Sequence, residues 1–88
     1  MAEVVYSARA LEDIERAFQV LDAVAVIQSA VDNLRVHPLI GRRVEGELRE
    51  LVISYGRTGY VALYRFVIGR DEVHVLALRH QRELGYLP

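Results

Sequence analysis

Eighty-eight residues with a formal net charge of −1 and 52% hydrophobic composition make one small domain, residues 1–88, with a core that is thin for its surface. The absence of cysteine excludes disulfides and thiolate metal sites, and near neutrality argues against non-specific binding of nucleic acid, which needs net positive charge. All eleven basic residues are arginine, so no lysine is available as a general base or as a mobile phosphate contact. Met1–Ser7 lacks the basic-then-apolar pattern of a secretory signal, and the apolar runs are far too short to span a membrane. A soluble, cytoplasmic chain with no membrane contact is expected.

Glu3–Tyr6 reads as a short strand, and Ser7 as the N-cap of a helix beginning at Ala8. Leu11, Ile14, Phe18 and Leu21 recur at helical spacing, with Glu12, Asp13, Glu15 and Arg16 assigned to the other side. A second apolar set, Val24, Ile27, Ala30, Val31 and Leu34, is out of phase with the first, so one straight helix would carry its apolar stripe on nearly opposite sides. A very tight break near Asp22–Ala23 resolves the conflict and makes an αα-hairpin. Pro38 ends the second helix near His37. Pro38–Gly46 reads as a loop, with Gly41 and Gly46 available for positive φ. Strands are expected at Leu48–Ser54, Tyr60–Ile68 and Glu72–Leu78, joined by the YGRTG loop Tyr55–Gly59 and a tight turn at Gly69–Asp71. In the second of these strands Tyr60, Ala62, Tyr64, Phe66 and Ile68 share a face. The order β-α-α-β-β-β predicts an α+β fold, with the αα-hairpin packed on one face of a small, mainly antiparallel sheet.

The stretch Val73–Glu83, VHVLALRHQRE, carries the clearest functional signal. A strand apolar on both faces is usually central in its sheet, and here it runs straight into Arg79-His80-Gln81-Arg82-Glu83. Polar groups at the end of a rigid element are well placed for chemistry or for recognition. His80 could serve there as an acid or base. The competing role for Arg49, Arg65 and Arg79 is pairing with glutamates across strands. His37 reads as a C-terminal cap on its helix dipole, and Arg42-Arg43 as a solvated turn. The three histidines have no metal-ligand spacing, and no Gly-rich phosphate loop or Ser/His/Asp set is present, so neither metal nor cofactor is expected.

In four segments and their order the chain resembles the RelE/ParE toxins of bacterial type II toxin–antitoxin, or plasmid stabilisation, systems. The carriers are SARALEDIERAF behind the first strand, HPLIGRRVEGELRELVI, YVALYRF, and VLALRHQRE followed by Gly85-Tyr86. The hairpin departs from the family, whose members usually have a longer connection than Leu21-Asp22-Ala23. RelE-like members cut messenger RNA on the ribosome, whereas ParE-like members inhibit DNA gyrase by binding. The nuclease pattern Tyr-Arg-x-x-Tyr reads Tyr60-Val61-Ala62-Leu63-Tyr64 here, and the arginine expected three residues before the histidine is Ala77. Two cationic positions are therefore apolar. The resemblance then implies a ParE-like gyrase inhibitor whose target and partner contacts come from Arg79, His80, Gln81, Arg82 and Tyr86. The alternatives are a ribosome-dependent endoribonuclease using Arg49, Arg65 and His80, and a degenerate homologue that only binds an antitoxin. In each case the resemblance implies a hetero-oligomer with a cognate ParD- or RelB-like antitoxin, and DNA contact only through that antitoxin.

Overall fold

The structure, a computed structural model, describes residues 1–17, 23–55 and 58–81. Its elements are β1 (Glu3–Tyr6), α1 (Ala8–Ala17), α2 (Ala23–Val36), β2 (Arg42–Glu45), β3 (Leu48–Tyr55), β4 (Thr58–Val67), a short 3₁₀ turn (Ile68–Arg70) and β5 (Glu72–His80). They build a five-stranded mixed sheet of order β1-β5-β4-β3-β2 with two helices against it, an α+β architecture. Among the described residues only the β1–β5 pair is parallel. β4 is central, flanked by β3 and β5 in antiparallel register.

Helix α2 follows the expected periodicity: Ile27, Val31 and Leu34 are fully buried at 3–4 residue spacing. They meet Tyr60, Ala62 and Tyr64 of β4, together with Val73, Val75 and Leu78 of β5. The alternation expected along β4 holds, with Phe66 partly buried on the same face. Ile68 departs from it, because the strand has already turned into the 3₁₀ segment and leaves that side chain exposed. The turn closes with Asp71 in the left-handed region at φ 51°.

Helix α1 corrects the expected face. Its buried residues are Ala10, Asp13 and Ala17, whereas Leu11 is exposed. Alanines let the helix backbone approach the sheet closely, and Ile14 fills the margin of the core. Phe18, Leu21 and the break at Asp22 lie outside the described residues. Ser7 does cap α1: its Oγ accepts a hydrogen bond from Ala10 N at 3.0 Å.

The segment expected as a loop contains a strand. β2 pairs antiparallel with β3 through Arg42↔Glu50 and Arg43↔Arg49. All four residues of β2 are exposed, so its sequence lacks the alternation that marks a strand with one buried face. Gly46 adopts φ 54° at the turn, as expected. Gly41 does not; it is required for space, since a Cβ there would lie 2.6 Å from the Tyr64 ring and 2.8 Å from Glu50 O.

Candidate functional site

The register divides the polar residues between two faces. Arg49 is paired with Tyr64, and Tyr60 with His80, so Arg49 and His80 belong to the face that the helices cover. Arg65 alternates with Tyr64 and Phe66 and is exposed on the opposite face. Arg49 and His80 are four positions apart along β4, about 13 Å, as well as two strands apart. The structure therefore does not bring Arg49, Arg65 and His80 together as one nuclease site.

Arg49 has a different task. Its Nη1 donates to Leu39 O at 3.1 Å and Gly41 O at 2.8 Å, which fastens the loop before β2. Beside it, Tyr64 Oη accepts from Gly41 N at 2.8 Å. Burial raises the Tyr64 pKa above its usual 10.0, partly opposed by the Gly41 hydrogen bond and the Arg49 charge.

A register shift beside Leu63/Tyr64 inserts an extra residue, Leu76, into β5, since Leu63 pairs with Ala77 and Tyr64 with Val75. The shift exchanges the faces of everything beyond it. Leu78 and His80 join the helix side; Ala77 and Arg79 face away. The expected cluster Arg79-His80-Gln81 is thus divided across the sheet. On the far face Arg79 Nη2 lies 3.9 Å from Glu50 Oε2, and Arg42 Nη2 lies 3.0 Å from Glu50 Oε1. Glu50 is paired with Leu63, two positions from Arg65, so Arg65 shares that face as a diagonal neighbour. The Glu50 carboxylate with Arg42 and Arg79 was missed as a group in the sequence, because Arg42 was assigned to a turn.

On the helix side His80 packs edge-on against the Tyr60 ring, with centroids 5.4 Å apart. Both line a pocket of about 270 Å³ together with Asp13, Arg16, Ala17 and Leu78. Asp13, only 5% exposed, was expected on the solvent side of α1. Its Oδ1 pairs with Arg9 Nε at 3.3 Å and closely with Arg16 Nη2, while Oδ2 accepts from Leu78 N at 2.8 Å. Gln81 N donates to Gly59 O at 2.9 Å, which ties the strand end to β4. Arg82 and Tyr86 lie outside the described residues. His74 contacts Glu72 Oε1 through Nε2 at 2.9 Å. Among the described residues no group of three His, Asp or Glu is placed to hold a metal ion, and no helix is long and apolar enough to cross a membrane.

A helical pair on a five-stranded mixed sheet is the α+β fold of the small RelE toxins. The chain belongs to this family: residues 4–85 match the ParE toxin of type II toxin–antitoxin system, parDE. It is 38% identical to Toxin RelE3 of Caulobacter vibrioides over 61 residues, which span 69% of this chain and 64% of that protein. Among solved structures, the toxin–antitoxin complex RelBE2 of Mycobacterium tuberculosis matches with TM-score 0.66 at 26% identity, covering 91% of this chain and 98% of that one. The isolated RelE toxin of E. coli matches with TM-score 0.77, covering 94% and 87%, and at 13% identity this likeness concerns the fold alone.

Proposed function

We propose that the chain is the toxin of a type II toxin–antitoxin module, neutralised by a cognate ParD- or RelB-like antitoxin, and that it inhibits DNA gyrase by binding in the cytoplasm. The observation that carries this reading is the separation of Arg49, Arg65 and His80 over two faces of the sheet. Self-cleavage of RNA needs a base, an acid and cations around one phosphate. Val61 and Ala77 stand where the nuclease pattern has arginines, and they are 4% and 5% exposed. The residues for target and antitoxin are Arg79, His80 and Gln81 at the end of β5, with Arg82 and Tyr86 following in the sequence.

A second reading, a ribosome-dependent endoribonuclease, is favoured by one observation. Arg42, Glu50, Arg65 and Arg79 share the far face, so a carboxylate base and cations lie within reach of one another. The test is expression without antitoxin, followed by gyrase supercoiling and cleaved-complex assays beside in vitro translation. The expected result is growth arrest with inhibited supercoiling and intact message. Cut message, abolished by Glu50→Gln, establishes the endoribonuclease instead. Normal growth with both assays clean leaves only a degenerate homologue that binds an antitoxin.

A further inference from the structure

Strand β1 ends before β5 does. Their last paired rung is Tyr6↔Val75, and β5 continues to His80. Beyond that rung no strand among the described residues pairs with β5 on the side facing α1, and its backbone groups there need other partners. Ser7 supplies the first two: its N donates to Val75 O at 3.0 Å, and its Oγ donates to Leu76 O at 2.8 Å. The next group is Leu78 N–H, which is buried and is met by Asp13 Oδ2 at 2.8 Å.

We propose that Asp13 is a positioning residue for the binding end of β5: it replaces the missing strand partner at Leu78 and so fixes the backbone that carries Arg79, His80 and Gln81. This inference rests on the reading of that segment as the target- and antitoxin-binding surface. The carboxylate suits the role because each of its oxygens has its own work. Oδ2 holds the strand, while Oδ1 is held by Arg9 and Arg16 from the turns before and after it on α1. The anchor is thereby locked to the helix before it reaches the strand. An apolar residue would pack at this site but would leave Leu78 N–H buried without an acceptor. An asparagine would keep an acceptor for Leu78, yet its amide would meet two guanidinium donors with one oxygen fewer. Loss of the anchor frees a short strand end with no β1 beside it, while the β4–β5 pairing nearer the middle of the sheet stays intact.

The experiment combines amide hydrogen exchange with activity on the purified chain, for Asp13→Ala, Asp13→Asn and the control Glu12→Ala, which removes a neighbouring exposed carboxylate. Asp13→Ala is expected to speed exchange at residues 78–81 by about 10–100-fold while residues 62–64 keep their protection, with Asp13→Asn intermediate and Glu12→Ala unchanged. Activity per folded molecule, read as antitoxin affinity and gyrase inhibition, should fall at least about tenfold in Asp13→Ala. His80→Ala should then cost less in the Asp13→Ala background than in the parent. Uniformly faster exchange, unchanged exchange at Leu78, or strictly additive losses would each overturn the proposal; should Asp13→Ala fail to fold, Asp13→Asn decides by the same criteria. If the parent chain inhibits neither gyrase nor translation and binds no antitoxin, the functional reading falls. The local exchange pattern still reports whether Asp13 holds the strand.

Discussion

The loop before β2 and the end of β5 are both tied down by polar groups, at opposite ends of the sheet's covered face. At the loop, the tie converges on one glycine. Gly41 N donates to Tyr64 Oη, Gly41 O accepts from Arg49, and the absent side chain leaves room for the tyrosine ring. At the strand end the tie is a carboxylate carried by a helix, locked by two arginines and reaching a single backbone N–H. The first arrangement closes a connection and leads to an exposed edge strand. The second leads to the residues proposed to grip a partner. The difference shows how similar hydrogen bonds can serve stability in one place and the aim of a binding surface in another.

The comparison is broken most strongly by filling the space at Gly41. Gly41→Ala places a Cβ 2.6 Å from the Tyr64 ring and 2.8 Å from Glu50 O. The second of these is backbone in β3, which cannot rotate away as a side chain can. A loss of about 3 kcal/mol in unfolding free energy is expected from denaturant titration. Antitoxin binding by the molecules that remain folded should stay near the parent value, since the disturbance is at the end of the sheet remote from His80.

A smaller effect is expected from Tyr64→Phe, which keeps the ring and removes the acceptor of Gly41 N. Leaving that buried N–H without its partner costs about 2 kcal/mol. The same variant has a pH signature. The Tyr64 pKa is raised in the folded chain, by burial first, so above its usual 10.0 the unfolded chain loses the phenolic proton before the folded one does. The folded state then holds more protons, and stability falls as pH rises, by at most about 1.4 kcal/mol per pH unit for this group. Tyr6 is raised in the same direction, by burial and by the Asp32 charge, and adds to the fall. Well below pH 10 neither contributes a slope. Stability curves of parent and Tyr64→Phe between pH 9 and 11 should therefore diverge least at the alkaline end.

The sequence showed those parts of the fold that depend on large apolar residues at regular spacing. Ile27, Val31 and Leu34 drew α2, and the alternation from Tyr60 to Phe66 drew β4. α1 was turned the wrong way because its contact with the sheet is made by Ala10 and Ala17, which carry little hydrophobic signal, and by a buried carboxylate that reads as solvent-facing. β2 was invisible because an edge strand exposed on both sides has no alternation to show. For the site, the position of Arg65 opposite Tyr64 was legible from strand parity. The faces of Arg79 and His80 were not, since the extra residue at Leu76 reverses parity and no glycine or proline marks it.

The smallest expected effect sharpens the comparison from the far face. Arg42 lies closer to Glu50 than Arg79 does, at 3.0 Å, but its side chain is 78% exposed and it belongs to the edge strand. Water screens such a pair and the arginine gives up rotamer freedom to hold it, so Arg42→Ala should cost about 0.5 kcal/mol or less. Arg79 makes the longer contact, at 3.9 Å, but is only 19% exposed and stands on β5 next to His80. If the binding surface is the end of β5, Arg79→Ala lowers antitoxin affinity by at least about tenfold and Arg42→Ala leaves it within about twofold, measured by calorimetry on the same preparation. The reverse order would move the surface from the end of β5 to the β2 edge, and with it the reason for anchoring Leu78 at all.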